Sequence, residues 1–144
     1  MEFLMTYGWA ILVVLVAIGA LAYFGVLNPS RFLPSSCTIA PGIGCDEHKV
    51  TASDDSVQLL LRNGMGESLT GVTVSISGCT NSAEADGDDW VDGDVLGGTD
   101  GITLTSCSGV GAAASRFKAD ISVTYTSSGG LNHTKTGTVT TKVE

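Results

Sequence analysis

The four cysteines, Cys37, Cys45, Cys79 and Cys107, are the residues of this chain best suited to covalent chemistry. They form no C-x-x-C pair and no closely spaced histidine pair accompanies them, which disfavours a zinc site. An even number of cysteines instead predicts disulfides and allows more than one pairing. The local pairing, Cys37 with Cys45 and Cys79 with Cys107, is favoured, because the shorter loop contains proline and glycine and bends easily. Free buried thiols are the alternative.

The acidic stretch between Glu84 and Asp94 is the candidate cation site. It holds six carboxylates and no basic residue. Calcium needs several oxygen ligands that converge on the ion, and Trp90 falls where an EF-hand loop requires an oxygen-bearing side chain. A solvated acidic loop is therefore favoured over a calcium site, and we expect neither a metal nor a cofactor.

Recognisable catalytic motifs are missing from the sequence. The two histidines, His48 and His133, are predicted to lie in polar turns. No serine occupies a G-x-S-x-G elbow, and no glycine-rich phosphate loop precedes a lysine. Paired cysteines leave no thiol to act as a nucleophile. We therefore expect that the protein is not an enzyme.

The charge balance argues against nucleic acid as a partner. The chain has seven Lys and Arg residues against 15 Asp and Glu, a net charge of −8. The basic residues are scattered singly, whereas binding to phosphates needs them clustered. An acidic surface of this kind suits a domain that faces water outside the cell.

A long apolar segment near the start of the chain predicts a hydrophobic helix ahead of the residues discussed above. Residues 3–27 contain no charged residue, and as a helix they would span roughly 37 Å, more than the ~30 Å hydrocarbon core of a bilayer. Pro29 predicts that the helix ends near Asn28. We predict a hydrophobic helix over residues 1–33 and a separate outer domain over residues 34–144.

Two charges flank the apolar segment in unusual places. Glu2 precedes it, either as a carboxylate favoured by the helix dipole or as one that pairs with a positive group on a neighbouring subunit, where an unpaired charge would be costly. The first positive charge, Arg31, follows the segment, although membrane helices normally carry such charges on the cytoplasmic side. A removed basic leader before Met1 would explain this, as would a chain that begins late.

Small residues recur within the apolar segment. Gly19, Ala22 and Gly25 are spaced at intervals of three, and small residues allow helix backbones to approach closely in lipid. Glycine inside a helix costs about 1 kcal/mol relative to alanine. Packing between helices is therefore favoured over a plain anchor that contacts mostly lipid.

The segment MEFLMTYGWAILVVLVAIGALAYFG resembles the N-terminal helix of archaeal type IV pilins. The resemblance lies in Glu2 followed by Phe3, in the apolar helix that continues from them, and in the Tyr7-Gly8-Trp9 triplet. It covers the helix, while the remainder matches the family only in style. Family members usually carry several mature residues before this glutamate, and here Met1 alone precedes it.

The resemblance implies a precursor with a class III signal peptide that a prepilin peptidase cleaves. It implies a helix that lies in the cytoplasmic membrane before assembly and then, with the pilus assembly machinery, joins identical subunits in an extracellular filament. Assembly and helix packing are thereby assigned to Glu2, Phe3, Gly8, Trp9, Gly19, Ala22 and Gly25.

Beyond Pro34 the sequence predicts β-strands. Apolar and polar residues alternate most clearly from Phe117 to Tyr125, a pattern typical of half-buried strands. Further strands are predicted at 57–62, 69–77 and 102–104 and after the 127–130 turn, with weaker ones at 49–52 and 90–96. The whole chain is therefore predicted to be α+β, an N-terminal helix followed by an all-β immunoglobulin-like sandwich.

The Asn132-His133-Thr134 tripeptide is an N-glycosylation sequon. A glycan at Asn132 would suit an extracellular surface rich in Ser and Thr. An unused sequon in a tight turn is the alternative.

These features together predict a structural pilin of an adhesive pilus. One alternative is a single-pass, membrane-anchored surface or binding protein with a β-sandwich outside. The other is an archaellum-type motility subunit, which is less favoured because the Gly-Ile-Gly-Thr-like start of such subunits is missing.

Overall fold

The structure is a computed structural model, and it describes residues 2–25, 34–84 and 89–144. The chain divides into two compact units, Met1–Pro34 and Ser35–Glu144. It has an α+β fold, as predicted: one apolar helix is followed by two antiparallel sheets. The elements are α1 (Glu2–Tyr23), β1 (Ser36–Ile39), β2 (Ile43–Thr51), β3 (Ser56–Asn63), β4 (Thr70–Ile76), β5 (Ala83–Glu84), a 3-10 helix (Gly98–Asp100), β6 (Ile102–Leu104), β7 (Arg116–Thr126) and β8 (Asn132–Lys142).

Helix α1 ends earlier than the sequence predicts. After Tyr23 the chain turns at Gly25, which has a φ of 69° and donates its N–H to the Ala22 carbonyl oxygen at 3.1 Å. A left-handed glycine directly after the last turn is the usual way to end a helix. The prediction that the helix continues to about Asn28 is therefore wrong, and Asn28 and Pro29 lie outside the described residues.

The strands of the second unit form a sandwich. One sheet has the order β1-β8-β7-β4-β5 and the other the order β2-β3-β6. From β2 onward, β2, β3 and β6 take the places of strands A, B and E of an immunoglobulin-like sandwich, and β4, β7 and β8 those of C, F and G. The short β5 pairs with β4, and β1 is an additional strand on the outer side of β8.

The two sheets enclose one hydrophobic core. Alternate residues of β7, from Phe117 to Tyr125, are buried, which confirms the predicted alternation. They meet Leu59 and Leu61 of β3 and Leu104 of β6, all fully buried, in a single cluster. Because burial of a large aliphatic or aromatic side chain contributes about 1.5–3 kcal/mol, this cluster is the main source of stability.

Other strand predictions were partly wrong. Residues 90–96 make only isolated bridges, Leu69 to Trp90 and Arg62 to Val95, because the chain turns at Gly93 to donate its N–H to the Asn63 carbonyl oxygen. The strand predicted at 49–52 is the end of the longer β2. Neither β1 nor β5 was predicted.

Candidate functional site

Helix α1 exposes apolar side chains in every direction. None of its residues is buried, and even the bulky Met5 and Trp9 are 88% and 70% exposed. At 22 residues the helix is about 33 Å long, enough to cross the ~30 Å core of a bilayer. It is therefore of the kind that anchors a chain in a membrane or directs its export.

The few polar groups of α1 are arranged to suit an apolar environment. The Thr6 hydroxyl donates to the Glu2 carbonyl oxygen at 2.8 Å, so it needs no water as an acceptor. Glu2 is exposed in the first turn, where the positive end of the helix dipole favours a carboxylate.

One face of α1 forms a shallow apolar groove. The Phe3 and Tyr7 rings lie one turn apart with centroids separated by 4.8 Å. Residues at this helical spacing face the same side and form the usual contact surface between helices. The groove is lined by Phe3, Tyr7, Ala10, Ile11, Val14 and Leu15.

The small residues of this segment occupy different environments. A Cβ added at Gly8 or Gly19 would meet no atom within 4 Å, so nothing described within the chain requires glycine there. Ala22 is exposed in the last turn. Gly25 lies beyond the helix, where its positive φ explains the glycine without any helix packing. Packing roles for Glu2, Phe3, Gly8, Trp9, Gly19, Ala22 and Gly25 stay predictions.

Both disulfides connect one sheet to the other. Cys37 in β1 is bonded to Cys45 in β2, and Cys79, just after β4, is bonded to Cys107, just after β6. No cysteine is free, and these are the local pairs that the spacing favours. Disulfides form in oxidising compartments, which indicates an extracellular location for this unit.

The histidine beside the first disulfide was missed by the sequence reasoning. The Sγ atoms of Cys37 and Cys45 and a ring nitrogen of His48 lie within 4.8 Å of one another. In a regular strand, Cys45 and His48 would face opposite sides, but a bulge between Cys45 and Glu47 returns both to the inner face. Because the sulfurs are bonded to each other, they are not the thiolates that bind a metal.

The described part of the acidic stretch is held by hydrogen bonds within the protein. Asp92 accepts the N–H of Gly66 at 2.9 Å, and the Trp90 indole donates to the Asp94 carbonyl oxygen at 2.9 Å. Trp90 is 4% exposed and belongs to the core. Asp86 and Asp88 lie outside the described residues. Among the described residues no carboxylates have the spacing of a metal site.

Asn132 lies at the first residue of β8 and is exposed, as is Thr134. Its Oδ1 accepts a hydrogen bond from the Thr126 hydroxyl at 2.6 Å across the β7–β8 hairpin. The amide nitrogen that would carry a glycan belongs to a side chain on the outer face of the larger sheet. Thr134 makes a similar cross-strand contact with the Thr124 hydroxyl at 3.3 Å.

Comparisons with protein-family models, with curated proteins and with solved structures find no match to this chain. Its function is therefore inferred from its own residues. The feature that most needs a partner is α1, because a helix that is apolar on all sides is unstable in water.

Proposed function

We propose that this chain is the structural subunit of an archaeal-type type IV pilus that serves adhesion. The observation that carries the proposal is α1, a helix that is apolar on every side, has no buried residue and bears a single charge, Glu2, in its first turn. In a filament of such subunits, the apolar surface of α1 would be buried among other helices in the centre. The Glu2 carboxylate would pair with a positive group of a neighbouring subunit.

The chemistry of α1 fits exchange between two apolar environments. In a bilayer its side chains are already removed from water, so the hydrophobic effect does not drive association with other helices. Association then depends on close packing and on polar pairing, for which Gly8, Gly19 and Glu2 provide the means. An unpaired carboxylate at such an interface is costly, so Glu2 would select the axial register between neighbours.

The β-sandwich fits the outer surface of such a filament. The acidic residues other than Glu2 all lie beyond residue 45, so negative charge is concentrated in the part that would face water. Two disulfides between the sheets stabilise a small domain outside the cell. Identical subunits joined through a contact that does not close on itself form a filament.

A single-pass, membrane-anchored surface protein is the second candidate. It is favoured by the length of α1, which matches the thickness of one bilayer core. In that case α1 would contact lipid permanently and Glu2 would have no protein partner. An archaellum-type subunit is a third candidate with the same construction.

Shearing of the cell surface distinguishes these candidates. We expect sheared material to contain thin filaments by electron microscopy, and mass spectrometry to find this chain in them with the N-terminus of the mature protein. If the chain is missing from every sheared filament and stays in the membrane pellet, the pilin proposal is wrong and the anchored protein is favoured. Loss of swimming with retained attachment after deletion would favour the archaellum-type subunit.

A matched pair of substitutions tests the role of Glu2. We expect Glu2→Gln to lower the filament yield at least tenfold while the amount of chain in the membrane is unchanged. Glu144→Gln is the control, because Glu144 is an exposed carboxylate that contacts Lys49 at 3.2 Å. Equal filament yields from the two variants would contradict pairing of Glu2 between subunits.

A further inference from the structure

Strand β1 is hydrogen-bonded to the sandwich along one edge only, although Cys37 and Ile39 also pack against the core. It is four residues long and, among the described strands, is hydrogen-bonded to β8 alone. One further backbone bond, from the Ala40 N–H to the Thr136 carbonyl oxygen at 3.0 Å, continues the pairing. The close approach depends on Gly137, because a Cβ there would collide with the Thr38 carbonyl oxygen.

The Cys37–Cys45 disulfide is the covalent attachment of β1 to the other sheet. It joins the second residue of β1 to β2 and closes a loop with a sequence separation of 8. Short edge strands with few backbone partners open readily. The disulfide therefore holds in place a strand whose own hydrogen bonds are few.

The two disulfides differ in access to solvent. Cys37 and Cys45 are both half-buried, whereas in the second bond Cys79 is half-buried and Cys107 is 4% exposed and belongs to the core. Thiol–disulfide exchange requires a thiolate to reach a sulfur atom. A reductant in solution therefore reaches either sulfur of the first bond but only the Cys79 sulfur of the second.

His48 gives the first bond a second chemical distinction. A ring nitrogen of His48 lies within 4.8 Å of both sulfur atoms. An imidazole ring at this distance can donate a hydrogen bond to a departing thiolate, and a disulfide is cleaved faster when the departing sulfur is more stable as a thiolate. The described residues place no histidine beside the Cys79–Cys107 bond.

We propose that the Cys37–Cys45 bond is a reducible disulfide that keeps β1 paired with β8. A dithiol reductant cleaves it before Cys79–Cys107, and its cleavage releases β1 from β8. A reductant thiolate attacks one Sγ atom, the S–S bond breaks, and the other sulfur leaves as a thiolate that takes up a proton. The second reductant thiol displaces the first protein sulfur, so the protein gains two thiols and the dithiol becomes a cyclic disulfide.

Release of β1 would change the edge of the larger sheet. Alternate residues of the β8 span that pairs with β1, Gly137 to Thr140, would present unpaired backbone groups, because the residues between them bond to β7. Such an edge is able to pair with another strand. This proposal does not depend on whether the chain forms filaments.

The test uses the full chain in detergent micelles, treated with increasing dithiothreitol, alkylated, and analysed by peptide mass spectrometry. We expect Cys37 and Cys45 to be alkylated at reductant concentrations that leave Cys79 and Cys107 bonded. Hydrogen exchange at residues 36–39 and 137–140 should then rise on the order of 50-fold, from the loop entropy that a bond of this span supplies. Exchange within β7 should not change.

Three variants serve as controls. Cys37→Ser with Cys45→Ser should reproduce the faster exchange without reductant, and added Thr38→Cys with Thr138→Cys should restore protection, because these residues are register partners with hydroxyl oxygens 3.5 Å apart. His48→Gln should slow the first cleavage several-fold.

Several outcomes would overturn the proposal. It is wrong if both disulfides are alkylated together, or if residues 36–39 stay protected after the first bond is cleaved. It is equally wrong if β7 exchanges as fast as β1, since that reports unfolding of the whole sandwich.

Discussion

Asn63 should be the most sensitive polar residue of the sandwich. Its side chain is fully buried and makes three hydrogen bonds with the backbone: Nδ2 donates to the carbonyl oxygens of Glu67 and Trp90, each at 2.8 Å, and Oδ1 accepts the N–H of Met65 at 2.9 Å. It thereby joins the end of β3 to two loops. Neither loop has a regular strand of its own at this point.

The cost of Asn63→Ala follows from these three bonds. Each hydrogen bond contributes about 1 kcal/mol net, and a buried group that is left without a partner costs about 1–3 kcal/mol. We expect the free energy of unfolding to fall by about 3 kcal/mol. Asn81→Ala is the control, because the exposed Asn81 makes one side-chain bond, to the Thr105 hydroxyl at 2.7 Å, and should cost under about 1 kcal/mol.

Urea unfolding followed by tryptophan fluorescence measures both changes. The chain has two tryptophans, so a Trp9→Phe background leaves the buried Trp90 as the sole reporter of the sandwich. With a urea dependence of about 1.5 kcal/mol per molar, Asn63→Ala should lower the midpoint by about 2 M. If Asn63→Ala shifts the midpoint no more than Asn81→Ala does, the assignment of Asn63 as the anchor of these loops is wrong.

Three further predictions concern the helix, the second disulfide and the sequon. Leu12→Arg combined with Val16→Arg should release the chain from the membrane pellet. Two central arginines cost about 6 kcal/mol of insertion free energy, more than the apolar residues of α1 supply at about 0.5 kcal/mol each. Retention of the double variant in the pellet would contradict a spanning role. Cys79→Ala with Cys107→Ala should lower the free energy of unfolding by about 3.6 kcal/mol on the loop-entropy model for a separation of 28, and a loss under about 1 kcal/mol in urea would refute it. Asn132→Gln should lower the intact mass of the chain isolated from its native cells by the mass of a glycan, and an unchanged mass beyond the substitution itself would show that the sequon is unused.

The sequence predicts those parts of the fold in which one physical signal dominates. Continuous apolarity specifies α1, and alternation specifies β3, β4, β7 and β8, because burial of one face requires that pattern. The end of α1 was misplaced, since Gly25 ends the helix by its backbone conformation while the apolar pattern continues past it. Backbone conformation overrode hydropathy at this point.

Contacts between distant residues explain what the sequence does not predict. Strand β1 exists because it lies on β8, about 100 residues later in the chain, and its own composition carries no strand pattern. The sequence predicts Asn63 to be a turn residue, and β3 does end there. Its side-chain amide is nevertheless buried, because it bonds to the loops that contain Glu67 and Trp90. The prediction that His48 and His133 lie in polar turns is wrong, since they lie in β2 and β8, and no sequence rule locates the bulge that turns His48 inward.

The bulge near Asp46 links two of these features. The extra residue leaves Asp46 outside the regular pairing of β2 with β3, where its carboxylate accepts a 2.7 Å hydrogen bond from Arg62. Arg62 also donates to the Gly93 carbonyl oxygen at 2.7 Å, at the turn of the acidic segment. An exposed ion pair of this kind contributes little stability, about 0–1 kcal/mol. The extra residue itself is what matters for the site: it restores the alternation beyond Asp46 so that His48 lies on the same face as the Cys37–Cys45 bond, while the ion pair lies on the opposite, exposed face of the sheet.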